Sequence, residues 1–367
     1  MDFFKRLFQK APDLGAIDIG SSFVKFAVVE KKKSGQPDLL YFAQAPTPPM
    51  TIKDGSILDA QTLGDTIAGL LRSNNINAQK FKLVSAVAGQ QVVIRPIPMT
   101  KMKPEEVRQA IRFEAERYLP YPVADATVSG TILSEDVGDG RQMEVLLVAV
   151  PNEIVEAARE VIKMAEVEPA GITLEPLALQ KSLQFCLSEA QLNGTVVLVN
   201  VGASFSSINI FSAQRLKHNR TISIAGNSFT KAIGQSLNVS FDEAEKIKKE
   251  KGVIKVDGGG GEDVAPTTQK IFNLVEPVLK DFVTEVQRSI DYYRSRNKDE
   301  GIDLVVLSGG TAAFKNIETY LSKEFGVDCM VANPFANLNL SKVKGMTSSE
   351  LRESAPASMV VLGLALQ

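Results

Sequence analysis

Three glycine turns at the ends of apolar strands carry the chemistry that can be read from this sequence. The segment Ala16–Glu30, AIDIGSSFVKFAVVE, lies without gaps over Leu198–Ser212, LVNVGASFSSINIFS. Gly20 falls on Gly202, Ser22 on Ser204, Phe23 on Phe205 and Asp18 on Asn200. Each copy is a strand ending in a polar residue, a turn of glycine and small residues, and a second strand. Two such hairpins, 182 positions apart, point to a duplicated pair of domains. A glycine turn aims successive backbone N–H groups outward, and the missing Cβ lets phosphate oxygens approach closely. Two of them facing across a cleft would hold a phosphate chain from both sides. A third turn, LSGGTAAFKNIETYL at Leu307–Leu321, follows a strand with Gly309 and Gly310 and leads into a helix. Its glycines permit flat contact with a base or ribose, and the helix start adds N–H donors.

The side chains around these turns narrow the chemistry. Asp18 would repel phosphate by itself, so a role there requires Mg²⁺, held through coordinated water. Lys25 sits on the second strand of the first hairpin and neutralises phosphate if the turn brings it back over the cleft. The single histidine, His218, excludes multi-histidine metal sites and argues against imidazole acid–base chemistry. Cys186 and Cys329 are too few for a disulfide framework or a thiolate metal cluster. The glycine run Gly258–Gly261 follows a charged helix rather than opening one after a strand, which marks a surface loop rather than a phosphate cradle.

Composition sets the outer limits. The 367 residues are too many for one hydrophobic core and suggest two or three domains. With 41 basic and 43 acidic side chains the net charge is −2, without the basic excess of a general nucleic-acid binder. No apolar run approaches the ~20 residues of a membrane span, so a reducing cytoplasm is the default expectation. At the N-terminus, MDFFKRLFQK spaces Phe3, Phe4, Leu7 and Phe8 as on a helix beside Lys5, Arg6 and Lys10. That pattern fits either a small membrane-surface anchor or a docked terminal segment.

Strand and helix patterns alternate along the whole chain, the mark of an α/β architecture. Leu14–Ile19, Phe23–Val29 and Leu39–Ala45 read as a three-strand meander, followed by a helix with Leu63, Ile67, Leu70 and Leu71 on one face and a strand at Lys82–Ala88. Between Gly89 and Glu166 a β-α-β-β-α block, with Pro104 opening its first helix, reads as an inserted small domain closed by a helix carrying Ile154, Val155, Ala158 and Ile162. A second meander follows at Val196–Val201, Ser206–Phe211 and Leu216–Ile224. A charged helix at Asp242–Lys251 comes next. A long amphipathic helix then covers roughly Thr268–Arg296, with Leu274, Val278, Phe282, Val286 and Ile290 as its stripe. Pro277 should kink that helix or mark its true start. The strand Asp303–Leu307, a helix from Phe314 and a last apolar helix complete the chain.

The order IDIGSSFVK, VNVGASFSS, LSGGTAAF resembles the actin-like ATPase superfamily. Within it, FEAERYLPYPV at Phe113–Val123 and LEPLALQKSL at Leu174–Leu183 resemble the insertion domain and connecting helix of the PilM family of type IV pilus assembly proteins, related to FtsA. The resemblance implies an actin-like, ribonuclease H-like duplicated α/β fold with an inserted small α+β subdomain. It implies a first actin-like subdomain over 1–88 completed by 167–190, the insertion over 89–166, a second actin-like subdomain over 191–225 completed by 300–367, and a small helical nucleotide-base subdomain over 226–299. Carried over residue by residue, Asp18 matches the Mg²⁺-linked aspartate, Gly20, Ser21 and Ser22 the first phosphate turn, and Lys25 the phosphate-contacting lysine. Gly202, Ala203 and Ser204 match the second turn, Gly309, Gly310 and Thr311 the adenosine motif, and Glu245 with Lys248 the ribose- and base-contacting pair.

The second hairpin of such proteins commonly carries an acid where Asn200 stands here. An amide hydrogen-bonds water but cannot act as a carboxylate base. Glu175 in the connecting helix is the remaining acid that could orient water. The expectation is therefore ATP and Mg²⁺ binding with slow or absent hydrolysis. The resemblance further implies a cytoplasmic scaffold, peripheral at the inner membrane, that binds the N-terminal cytoplasmic peptide of PilN in a groove beside the insertion and meets other assembly-platform proteins, but not nucleic acid. The competing expectations are a metabolite kinase of the same superfamily and an FtsA-like filament-forming protein. The latter should end in a basic amphipathic helix, whereas SMVVLGLALQ carries no cation after Arg352.

Overall fold

The computed structural model describes residues 13–32, 35–53, 55–137, 140–255, 266–297 and 301–366, excepting the side chains of 266–268. The N-terminal amphipathic segment and the Gly258–Gly261 run fall outside these residues. Two five-stranded mixed sheets dominate. The first consists of β1 (Asp13–Ile19), β2 (Phe23–Glu30), β3 (Asp38–Pro46), β6 (Phe81–Val87) and β10 (Glu168–Leu174), in the order β10-β6-β1-β2-β3. Between them in sequence, β4 (Ile52–Lys53) and β5 (Ser56–Ile57) form a small ribbon. The second sheet contains β11 (Thr195–Val201), β12 (Ser206–Ser212), β13 (Arg215–Ile222), β14 (Leu304–Ser308) and β15 (Cys329–Val331), in the order β13-β12-β11-β14-β15.

The two sheets have the same plan. In each, three strands meander antiparallel, and two more add in parallel on the side of the first strand. This is the actin-like duplicated fold, and the gap-free hairpin repeat is its trace in the sequence. Central strands buried on both faces read as unbroken apolar runs. Every residue of β11, TVVLVNV, is buried.

The chain ties its halves together by exchange. The connecting helix Glu175–Cys186 leaves the first sheet at β10, and the helix Met359–Ala365 returns from the second half to pack on β1, β2 and β6. The two helices cross so closely that a Cβ on Gly363 would stand 1.8 Å from the Ala178 carbonyl oxygen. One apolar core therefore contains Ala16 and Ala27 of the first sheet, Val196, Leu198 and Phe211 of the second, and Leu179, Leu183, Val361 and Leu362 between them. On the outer edge, residues 337–344 run beside β3. Leu39 N–H donates to Asn339 O at 3.0 Å and Phe42 N–H to Lys344 O at 3.1 Å. Asp38, fully buried, accepts from Lys32, Lys342 and Asn339, and these donors hold its carboxyl well below the usual carboxylate range.

The inserted sheet has β7 (Val93–Thr100), β8 (Ala126–Val137) and β9 (Gln142–Pro151) in the order β7-β9-β8, with the helix Pro104–Ala115 on its face. The helix Asn152–Met164, placed by sequence pattern at the close of this block, packs instead on the helix Ala60–Ser73 and the first sheet. Gly64 permits that contact, since a Cβ there would lie 2.3 Å from Met164 Cβ.

Three further expectations need correction. The long helix runs unbroken over Pro266–Arg296 with Pro277 inside it, so Pro277 does not mark its start. Pro277 is on the exposed face, where solvent can reach the carbonyl that lacks an N–H partner. In the first half of that helix the buried stripe is Ile271, Val275 and Leu279, one position off Leu274 and Val278, which are only partly buried. After Gly309 the chain makes a 3₁₀ turn, Gly310–Ala313, and the helix proper begins at Ile317. No helix among the described residues is long and apolar enough to cross a membrane.

Candidate functional site

Between the two halves lies a cleft of about 560 Å³, within the range of small-molecule sites. It brings together every site residue singled out in the sequence. Asp18, Gly20, Ser21, Ser22 and Lys25 of the first hairpin line it, and so do Asn200, Gly202, Ala203 and Ser204 of the second. Gly309, Gly310 and Thr311 of the third turn, Glu245 and Lys248 of the charged helix, and Glu175 of the connecting helix complete that set.

The hairpin turns have matching geometry. Gly20 N–H donates to Phe23 O at 3.2 Å, and Gly202 N–H donates to Phe205 O at 3.2 Å. A Cβ on Gly20 would lie 2.9 Å from Phe23 O, and one on Gly202 would lie 2.8 Å from Phe205 O. Glycine at both places is therefore a steric requirement of the turn. Different elements brace them from behind. Thr47, just past β3, donates its hydroxyl to Gly20 O and its N–H to Ser22 O. The carbonyls of Gly202 and Ala203 instead accept from the N–H groups of Gly226 and Asn227, each at 2.9 Å. Among the described residues no backbone acceptor meets the N–H groups of Ser21, Ser22, Ala203 or Ser204. Those donors remain available to an anion in the cleft.

Lys25 is directly opposite Asp18 in the hairpin register, and its Nζ lies 3.1 Å from Asp18 Oδ2. Antiparallel pairing, not a swing of the turn, puts both side chains on the cleft face. The equivalent pair in the second hairpin is Asn200 and Ser207. Ser207 donates to Glu175 Oε1 at 2.5 Å, and Asn200 accepts from Ser308 at 3.2 Å. Glu175 is buried, and loss of solvent raises its pKa above the usual carboxylate value against the pull of Ser207 and Asn200. That environment favours the protonated acid over a carboxylate base.

At the far end, Lys248 Nζ lies 2.6 Å from Glu245, and it also donates to Thr230 at 2.8 Å and to Gly226 O at 3.2 Å. Burial, joined by the nearby Lys249 charge, lowers the Lys248 pKa against the pull of Glu245. Burial pushes Glu245 up, but the facing Lys248 ammonium and the Thr230 hydroxyl overcome that and leave its pKa below the usual value. The third turn is the tightest. Gly309 has φ +86°, and a Cβ there would stand 2.2 Å from Val201 O, whereas nothing lies within 4 Å of a Cβ on Gly310.

The cleft also contains residues that the sequence did not reveal. Phe314 stacks edge-on against Phe229 and forms a wall with Gly252. Gly226 opens a helix two residues after Ile224, a strand–glycine–helix junction like the one at Gly309, and that signal could have exposed it. Phe23 and Phe205 were visible only as aligned partners in the repeat. Phe23 lies under Lys249 Nζ, 5.6 Å from its ring centre, and Phe205 reaches the loop at Gly55 in the opposite half. Glu350 caps its helix through a Thr347-x-x-Glu350 box that is legible in sequence, but nothing local places it at the cleft.

The sequence profile of the type IV pilus assembly protein PilM matches residues 16–367, so the chain belongs to that family. The cell division protein FtsA of Bacillus subtilis (strain 168) is 24% identical over 364 residues, covering 87% of this chain and 78% of FtsA. A solved PilM–PilN type IV pilus biogenesis complex contains a chain that superposes with a TM-score of 0.82 at 25% identity, over 96% of this chain and 98% of its own. MreB 5 of Spiroplasma citri, solved with AMPPNP, shares the fold at a TM-score of 0.52 and 15% identity, over 97% of this chain and 95% of MreB 5.

Proposed function

We propose that this member of the PilM family is a cytoplasmic, nucleotide-binding scaffold of the type IV pilus inner-membrane assembly platform. The observation that carries the nucleotide reading is the convergence of both glycine hairpins, the Asp18–Lys25 pair, the Glu245–Lys248 pair and the third glycine turn on one cleft. ATP fits the donors on hand. The free N–H groups of the two turns and the Lys25 ammonium suit the phosphates, while Glu245, Lys248 and the Gly309–Thr311 turn suit the ribose and base. The described residues contain no cluster of three metal-ligating side chains. That agrees with Mg²⁺, which binds through one or two carboxylates, water and the phosphates of its nucleotide; Asp18 is the carboxylate placed to take part.

Hydrolysis is slow or absent on this reading. Asn200 supplies no carboxylate, and Glu175 is buried, bonded to Ser207 and biased toward its neutral form. The same accounting disfavours a metabolite kinase. The acids at the cleft are all engaged: Asp18 with Lys25, Glu175 with Ser207, Glu245 with Lys248, Glu350 with its own cap, and Glu353 with Ser349. None stands ready as a base toward a substrate hydroxyl.

The partner in the solved relative is PilN, and the corresponding ligand here is the N-terminal cytoplasmic peptide of PilN. Its place is the junction of the first half with the inserted sheet. A cavity of about 390 Å³ opens there, lined by Gln91, Tyr121, Asp125, Pro151, Asn152 and Glu153. An extended peptide gains main-chain hydrogen bonds and side-chain pockets in such a place, and the two acids suit a basic segment. Contact with PilN and other platform proteins would hold the chain at the inner membrane. Isothermal calorimetry with Mg·ATP, in the presence and absence of a PilN tail peptide, tests both halves of the proposal. Saturable heat from ATP and from the peptide is expected, and a peptide that gives no heat under either condition removes the scaffold reading.

A further inference from the structure

After β15 the chain leaves the second sheet at Ala332, whose N–H donates to Leu307 O at 2.8 Å, and crosses to the outer edge of the first. There residues 337–346 form a strap along β3. At one end Leu39 N–H donates to Asn339 O and Asn339 N–H to Pro37 O. At the other, Phe42 N–H donates to Lys344 O and Lys344 N–H to Leu40 O. The stretch from Asp38 to Tyr41 on β3 is matched by the longer stretch from Asn339 to Lys344 on the strap. The surplus is taken up by a turn in which Val343 N–H donates to Leu340 O at 3.2 Å. The strap is therefore attached at two points rather than added as a further strand, and it can part from β3 without opening the pairing of β3 with β2 behind it.

Asp38 pins the strap. Its carboxylate, fully buried, accepts from Lys342 at 2.7 Å and from Asn339 at 2.6 Å, and lies 2.5 Å from Lys32 Nζ. A buried ion pair adds little net stability over apolar packing, but another alignment would strand the carboxylate, so the pair fixes one register. From that register the strap leads into the cleft. Gly345, at φ +105°, passes β3 so closely that a Cβ would stand 2.4 Å from Phe42 O. Met346 comes next, and it lines the cleft with Glu350, Glu353 and Ser354 of the helix that follows. Pro356 O then accepts the Gly309 N–H of the third glycine turn at 2.8 Å.

Taking the cleft as the nucleotide site proposed above, we infer that the strap is a nucleotide-responsive clasp that joins the outer edge of the first sheet to the Gly309 turn, with Asp38 as its pin. Attachment to β3 holds Met346 and Glu350 in the cleft wall, and detachment releases them. ATP therefore binds the attached form better, which is the differential affinity that any such shift requires. Coupling of this kind is reciprocal: the factor by which ATP suppresses detachment is the factor by which detachment weakens ATP.

Residue-resolved hydrogen exchange of the full chain, with and without saturating Mg·ATP, tests the clasp. The amides of Leu39, Asn339, Phe42 and Lys344 report detachment. Those of the inserted sheet, which contributes no residue to the lining of the cleft, are the reference. ATP should slow the strap amides about 5-fold or more relative to that reference. Asn339→Ala/Lys342→Met removes both strap donors to Asp38 and leaves it paired with Lys32, so no carboxylate is stranded; its strap amides should exchange faster without nucleotide while the reference stays unchanged. Gly345→Ala, whose Cβ cannot lie against Phe42 O, should leave the strap detached and lower ATP affinity in calorimetry by the factor that ATP imposed on the exchange of the parent. The clasp is overturned if ATP binds and leaves the strap amides unchanged relative to the reference, if the double variant exchanges at the parent rate, or if Gly345→Ala binds ATP as tightly as the parent. A parent that gives no heat with Mg·ATP removes the nucleotide reading, and the clasp with it, whereas heat without a change in strap exchange removes the clasp alone.

Discussion

Gly309 and Gly310 are neighbours in one turn of one cleft, and their replacement by alanine should have opposite consequences. Gly309 has φ +86° and ψ 166°, a region that is essentially glycine's alone. A Cβ there meets Val201 O at 2.2 Å and Val201 C at 2.5 Å, both far inside the 3.4 Å at which ordinary contact begins. Those atoms are backbone of β11, paired on both sides by β12 and β14, and cannot rotate away. The backbone strain is about 1–3 kcal/mol, and forcing extra volume into a packed place adds about 1–3 kcal/mol. Gly309→Ala should therefore cost roughly 2–6 kcal/mol of stability. A Cβ on Gly310 finds nothing within 4 Å, so Gly310→Ala should change stability by less than about 0.5 kcal/mol. It would still fill space where the nucleotide is proposed to lie, and so weaken ATP binding in a protein that folds normally. Urea unfolding of the nucleotide-free variants, followed by calorimetry with Mg·ATP, measures both effects. Equal stability losses in the two variants, or a Gly309→Ala protein as stable as the parent, would refute the reasoning from backbone geometry.

Three further outcomes follow from the cleft. Asp18→Ala should lower ATP affinity about 10-fold or more and make the remainder insensitive to Mg²⁺, as expected of a water-mediated partner of the ion; unchanged Mg²⁺ dependence in calorimetry would show the first hairpin is misassigned. Glu175 has a raised folded pKa, so the native state holds its proton where the unfolded chain has lost it, and stability contributed by this group falls as pH climbs from about 4.5 through the folded value. Glu175→Gln removes that slope, so its stability relative to the parent should increase with pH in denaturation curves taken from pH 4 to 8, and a constant difference would mean Glu175 is not held neutral. Lys249→Met removes a cation–π contact with Phe23 that bridges the mouth of the cleft, worth about 0.5–1 kcal/mol. Release of a fluorescent ATP analogue should quicken about 2- to 5-fold by stopped flow, and unaltered release would show that the contact does not bridge the occupied cleft.

The candidate site was legible before the fold because its chemistry is local. A glycine turn between two strands is encoded by some fifteen consecutive residues, and its copy 182 positions later announced the duplication. Gly20 and Gly202 declare themselves because no other residue closes those turns without meeting the carbonyl of Phe23 or Phe205. The Glu245–Lys248 pair was reached only through the family resemblance of its helix, since its letters alone read equally well as a solvated charged face.

What the chain could not reveal in linear form depends on contacts between distant segments. Periodicity assigned the helix Asn152–Met164 an apolar face but not the neighbour it covers, and the choice of the first sheet over the inserted one rests on Gly64 at the crossing point. As a letter Glu175 is no different from the exposed Glu166 or Glu168. Only burial against Ser207, 32 positions on, biases it toward its neutral form. Gly309 and Gly310 look alike as letters and differ because Val201, from another strand, stands against one and not the other. Turns and strands answer to their own few residues, whereas a cleft forms only when helices exchanged between the two halves bury one shared core and bring both sets of turns to the same space.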